Sequence, residues 1–421
     1  MSEITILKQE WDDEKDHNVT SSPAAKLDPL SEEPQDFSLI LGGPLFQLWR
    51  RLGLADDSLA LVKRRIAVTA LLCWLPLVLI TAIEGTLLGG GATVPFLFDV
   101  EVHVRFLIAA PLLIAAELLV HLRMRPMVRQ FKERALVPEE ASAEFDAAVT
   151  SAMRLRNSVL AEVLLMAFVY TVGILVVWKQ YMALDANTWY GTPTADGSKA
   201  TLAGIWYGYV SLPIFQFLGY RWYFRLFIWA RLLRRVSRIQ LNLLPTHPDR
   251  AGGLGFLSAM VNALAPIALA HGALVAGQLA DRVLHLGAKL PDFKAEILLL
   301  VVFVQCIVFG PLLTFAPQLA RLKRDGRREY DALAQRYVRE FDAKWLRGGA
   351  PKDEPFVGSG DIQSLADLNN GLEVVRGMRI VPITKEAVVQ LAFVTLLPII
   401  PLLLTMMPLE VLLKKLFGML L

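Results

Sequence analysis

Residues 243–280 read "LLPTHPDRAGGLGFLSAMVNALAPIALAHGALVAGQLA". From Phe256 to Ala280 there is no Asp, Glu, Lys or Arg. A helix of that length is roughly 37 Å long, enough to cross a hydrocarbon core of about 30 Å. A water-soluble fold has little use for such a run, and the composition agrees. Of 421 residues, 54% are hydrophobic and only 20% charged, too apolar for an ordinary soluble protein.

Working outward, six further segments have the same character. The candidate spans are 66–86, 104–121, 159–179, 202–221, 255–280, 295–319 and 387–407. All are expected to be helical, because lipid satisfies neither an open strand edge nor an exposed loop backbone. The fold class is therefore all-α, a polytopic transmembrane bundle of about seven spans with a cytosolic helical layer. Residues 1–36 hold ten acidic residues against Lys8, Lys15 and Lys26, and lack the basic start of a signal peptide. They are expected to be a disordered acidic cytosolic tail. Residues 37–320 form the membrane domain, 321–386 a cytosolic helical segment, and 387–421 a last span or re-entrant segment with its tail.

Basic residues set the orientation. With the N-terminus inside, the segments up to residue 65 and across 121–158, 221–255 and 321–386 hold 35 of the 43 Lys and Arg. That asymmetry predicts a cytoplasmic N-terminus. The tail with Pro398, Pro401, Pro408, Lys414 and Lys415 fits the periplasmic side poorly, so a re-entrant ending stays open. Six of the seven spans contain proline, which predicts kinked helices. On the cytosolic side, Tyr330, Leu333, Tyr337, Val338, Phe341 and Trp345 recur at helical spacing. "PEEASAEFDAAVTSAMRLRNS" and "GSGDIQSLADLNNGLEVVRGM" read as two more helices, the latter capped by Ser359 or Asp361.

Ionisable and polar residues inside spans usually face protein or water, so they are the first site candidates. His271, Gln305 and Asn262 lie deep in the fifth and sixth spans, and Glu117 and His121 stand one turn apart on the second. They are candidates for a ligand or ion path. Glu162, beside Arg154 and Arg156, and Glu84 lie nearer the predicted interfaces. A second set precedes the fifth span: His247, Asp249, Arg250, Gly252 and Gly253. Glycine amides at a helix start attract anions, so this turn is a candidate for an anion or a partner; a turn capped by Asp249 is the structural alternative.

Tyr330-Asp331 with "GSGD" (358–361) echoes intramembrane aspartyl proteases, whose aspartates lie within spans; here both flanks are hydrophilic. No catalytic residue is assigned. Cys73 and Cys306 stand alone inside spans, so neither a metal nor a cofactor is expected.

The stretches "GGPLFQLWRRLGL", "FDVEVHVRFLIAAPLLIAAELLVH", "THPDRAGGLGFL", "YVREFDAKWLRG" and "DIQSLADLNNGLEVVRGMRIVP" together resemble a group of bacterial polytopic inner-membrane proteins with no assigned activity. The resemblance implies a bacterial inner-membrane location and carries no site residue with it. The expected function is a channel or transporter for a small solute or ion. The alternative is a signalling or scaffold protein that binds a ligand or partner through its cytosolic layer. Expected partners are the bilayer, anionic lipid headgroups, and a second copy or a cytosolic protein; the basic loops need no nucleic acid to explain them.

Overall fold

The structure, a computed structural model, describes residues 37–51, 53, 61–178, 187–194 and 197–405. The expected acidic tail and the residues after 405 lie outside the described residues. Helix α1 is Pro44–Arg51, α2 is Val62–Ile83 and α3 is Val100–Glu133. Helix α4, Ser142–Arg156, meets α5 (159–178) at a 47° bend. Helix α6 covers 202–236, α7 is Gly255–Leu286 and α8 is Leu290–Leu346. Helices α9, Gly360–Arg376, and α10, Lys385–Thr405, complete the order. Among the described residues, the one small sheet is the antiparallel pair β1, Gly191–Thr194, and β2, Gly197–Ala200, with Gly191 opposite Ala200.

Five helices (α2, α3, α7, α8 and α10) are long and apolar enough to cross a membrane, and six when the bent pair α4 and α5 is counted. Each overlaps an expected span. Helix α6 begins at the expected fourth span, but its Trp, Tyr, Gln and Gly residues dilute its apolar character. The expected sixth span and the amphipathic run at 330–345 turn out to be one continuous rod, α8. Exposed Leu298, Leu299 and Val302 line one face of α8, while Leu300, Val304 and Val308 are buried on another. An apolar exterior over an apolar core is the pattern that lipid selects.

The prolines explain where these helices depart from α geometry. Proline has no N–H, so the carbonyl four residues earlier loses its partner. A π-turn at 105–109 precedes Pro111, and another at 207–211 precedes Pro213. Pro311 lies in a 3-10 turn over 310–315, and Pro398 and Pro401 in another over 397–405. Pro76 frees the carbonyl of Leu72, which accepts the indole N–H of Trp206 at 3.4 Å. The kinks thus turn lost internal bonds into contacts between helices.

Helix α7 lies between α3, α8 and α10. Its approach to α10 depends on Gly272, where an added Cβ would fall 2.0 Å from the carbonyl oxygen of Thr395. Two helix starts are capped from neighbouring helices. The Glu84 carboxylate accepts the Leu202 N–H at 2.7 Å, and Asp281 accepts the Val100 and Glu101 N–H groups at 2.9 and 2.8 Å. Such carboxylates satisfy orphan donors and oppose the positive end of the helix dipole. Replacing Gly272 by Leu is expected to destabilise the protein by about 1–3 kcal/mol. Thermal unfolding in detergent checks this; an unchanged midpoint would mean that α7 and α10 do not meet there.

Candidate functional site

Glu117 lies inside a run from Ala109 to Val120 whose other residues are all apolar, and its side chain is buried. A buried carboxylate needs a countercharge. Three are present. Arg65 of α2 donates to Glu117 Oε2 at 2.5 Å, Arg225 of α6 donates to Oε1 at 2.8 Å, and Arg221 Nη1 stands 3.6 Å from Oε1. The other guanidinium nitrogen of Arg221 is 3.6 Å from Glu162 of α5. Arg221 and Arg225 are four residues apart on α6, so both project from one face. Four helices are therefore joined through two carboxylates.

The neighbouring chain segment closes this arginine end. Phe37, Ser38, Leu39 and Ile40 are all buried. The Ser38 hydroxyl pairs with His121 Nδ1 at 2.9 Å, and its carbonyl accepts from Arg156. Glu117 and His121, one turn apart on α3, thus have different partners, Arg65 and Arg225 for the first and Ser38 for the second. Glu162, expected beside Arg154 and Arg156, has its ion pair with Arg221.

His271, Gln305 and Asn262 lie elsewhere and make separate bonds. His271 Nδ1 is 2.7 Å from the Ile267 carbonyl, which only accepts, so Nδ1 carries the proton. His271 Nε2 then accepts from the Tyr223 hydroxyl at 2.6 Å. Gln305 donates to the Val388 carbonyl at 2.8 Å, and Gln390 donates to Asn262 Oδ1 at 2.8 Å. These bonds tie α7 to α6 and α8 and α7 to α10; no hydrogen bond links the three residues to one another among those described.

The turn at 247–255 is filled by its own carboxylate. Asp249 accepts the N–H groups of Ala251, Gly253 and Gly255 at 2.8, 3.1 and 2.7 Å, and His247 Nδ1 is 2.8 Å from Oδ1. Gly252 and Gly253 have φ of +67° and +100°, and Arg250 also has positive φ. The amides that an anion would use are therefore occupied by Asp249. Arg379 clamps the turn from outside, donating to the Asp249 carbonyl at 2.8 Å and, through its backbone N–H, to the Arg250 carbonyl at 2.7 Å. Burial raises the Asp249 carboxyl, but the three backbone donors and His247 outweigh it and hold the group below its ordinary value. Asp331 pairs with Arg376 at 3.0 Å, whereas Asp361 pairs with Lys344 at 2.8 Å and with Trp345, so the two aspartates have separate partners.

A pocket of about 430 Å³ opens at the opposite, aromatic end. Asp99, Glu101, Asp281, Trp189, Tyr190 and Tyr207 are among its lining residues. Asp99 accepts the Trp189 indole N–H at 2.8 Å and the Val102 N–H at 3.0 Å. Arg105 pairs with Glu101 and donates to the Tyr207 hydroxyl. Burial, and then the neighbouring Asp281 carboxylate, raise the Asp99 carboxyl above its ordinary value. At 1.5 Å per residue, Glu101 and Glu117 on α3 are roughly 24 Å apart, so pocket and arginine cluster lie near opposite ends of the bundle.

Sequence reasoning counts Arg65 with the basic residues ahead of the first span and places Arg221 and Arg225 at headgroup depth where the fourth span continues, so it does not bring them forward as partners of Glu117. The available signal was the i, i+4 pair in "RWYFR" beside one acidic residue in an apolar run. The pocket residues had a weaker signal, the acidic "DVE" at 99–101. No protein-family model matches the chain, and no curated protein or solved structure shows significant similarity to it.

Replacing Glu117 by Gln leaves three buried guanidinium groups without their carboxylate and is expected to destabilise the fold by about 3–5 kcal/mol. Glu117→Asp should lose much less. Equal thermal midpoints for Glu117→Gln and wild type would contradict the geometry. Because the folded Asp249 carboxyl titrates below its unfolded value, its stabilisation is complete above the unfolded value and disappears as pH falls through the folded one. Wild type should therefore lose more stability on acidification than Asp249→Asn, as read by thermal midpoints across that pH range.

Proposed function

We propose that the chain is a multi-spanning bacterial inner-membrane transporter for a small, positively charged organic solute. In this reading the seven crossings are α2, α3, α5, α6, α7, the first half of α8, and α10. Helices α4 and α9 and the second half of α8 make up the cytosolic layer. The N-terminus and the arginine end face the cytoplasm, in keeping with 35 of 43 basic residues on that side. The surrounding bilayer supplies anionic headgroups to the basic loops.

The observation that carries the reading is the pocket at the aromatic end. Its volume suits a small solute. Its wall of Trp and Tyr favours a cation, since aromatic faces attract an ammonium group, and the lining carboxylates, which also hold Arg105, Trp189 and helix N–H groups, add negative potential there. Of its basic lining residues, Arg282 is paired with Glu296 at 3.1 Å. With the pocket open at the outer end and the arginine knot closed at the inner end, this is the outward-facing arrangement of such a protein.

Purified protein in liposomes should take up small primary and quaternary ammonium compounds, and Glu101→Gln should slow that uptake by roughly tenfold, about 1.4 kcal/mol of lost interaction. Absence of uptake across the cation panel, or equal uptake of cations and anions, would contradict the reading.

A second reading, partner binding through the cytosolic layer, draws on an open groove of about 700 Å³ between α8 and α9, beside exposed Val338. Crosslinking of wild type against Val338→Glu separates the two: a partner lost in the variant favours binding, and unchanged products oppose it.

A further inference from the structure

We propose that a small cavity at the arginine end is a binding site for a monovalent inorganic anion of halide size. The cavity, of about 10 Å³, is lined by Gly42, Arg156, Glu162, Arg221 and Arg225, with Phe224 on its apolar side. That volume admits one water-sized occupant. A phosphate, a carboxylate or a lipid headgroup is too large.

The second observation is Arg221 itself. Its side chain is 7% exposed, and its two ion pairs, to Glu117 and Glu162, are both 3.6 Å long. Among the described residues its side chain makes no hydrogen bond. A guanidinium stays protonated at any relevant pH and presents five N–H donors in a fixed plane. Ion pairs of 3.6 Å are longer than hydrogen bonds, so a small acceptor in that plane would add bonds that neither carboxylate makes. The other arginines are already engaged: Arg225 donates to Glu117, and Arg156 to the Ser38 carbonyl and to Asn157.

Charge points the same way. The buried Arg65, Arg221 and Arg225 oppose Glu117 and the largely buried Glu162, which leaves one buried positive charge in excess. Buried charge without a partner is strongly unfavourable, and an anion supplies both the missing charge and the missing acceptor. Water would supply only the acceptor. Gly42 closes the roof with φ of +131°, and an added Cβ would fall 2.5 Å from Asn157 Oδ1 and 2.6 Å from Arg156 Nη2. Backbone can lie this close over the arginines only where there is no side chain. The site is independent of what the aromatic-end pocket takes.

The test is thermal unfolding of the detergent-purified chain while sodium bromide replaces sodium gluconate at constant ionic strength. Wild type should show a midpoint that rises and saturates with bromide. Arg221→Gln should lose that dependence, and Glu162→Gln, which removes a competing negative charge, should saturate at a roughly tenfold lower concentration. If Arg221→Gln does not fold, the Glu162→Gln shift and an anomalous bromide peak within hydrogen-bond reach of Arg221 in crystals decide the matter. Superimposable bromide and gluconate curves for both wild type and Glu162→Gln, or a bromide-free cavity in the anomalous map, would overturn the proposal.

Discussion

Glu117 accepts charge-assisted hydrogen bonds from Arg65 and Arg225, on helices before and after its own in the chain, while Arg221 extends the contact to Glu162 on a fourth helix. Apolar packing between membrane helices is weakly directional, since lipid tails are as apolar as leucine. A buried carboxylate among three guanidinium groups is not. Few other arrangements of α2, α3, α5 and α6 satisfy these charges, so the cluster sets their register and depth. The fully buried stretch Phe37–Ile40 packs over this same end.

At the aromatic end, polar groups serve a different purpose. Glu84 and Asp281 cap the starts of α6 and α3 across helix boundaries, so each helix is satisfied by its neighbour's side chain. Phe96, Trp189 and Tyr207 pack edge to face around Asp99, with Phe96 and Trp189 centroids 5.0 Å apart and Trp189 and Tyr207 centroids 5.2 Å apart. The two ends thus differ in sign as well as in openness: guanidinium groups under a closed roof at one, carboxylates around a pocket at the other. Helices that bend at their prolines connect them.

Much of this architecture was legible in the residues. The helix positions follow from apolar runs too long for any soluble core, and the irregular turns follow from proline chemistry, as at Pro111 and Pro213. Ser359 was foreseen as one of two possible caps for α9 and does accept the Asp361 N–H at 3.1 Å. The pairing of Glu117 with arginines from other helices was not legible. A local pattern gives the charge of a side chain but not which distant helix faces it, and positive-inside counting treats each arginine as a loop charge. The continuity of α8 was missed for a related reason: the change from apolar to charged residues near residue 320 marks a change of surroundings and not a break in the helix. His271 attracted attention as an isolated polar group, yet both ring nitrogens have partners that only the folded chain brings near, Ile267 along its own helix and Tyr223 across on α6.

If the cluster works as one unit, its members must not act independently. The most direct measurement is a double-mutant cycle on unfolding free energy, with Glu117→Gln, Arg225→Gln and the double variant compared with wild type in the same detergent. The account predicts that the double variant is less destabilised than the sum of the single ones, by more than about 1 kcal/mol, because removing the second partner relieves an unpaired charge. Additivity within about 0.5 kcal/mol would show that the two residues do not share a buried contact and would contradict it.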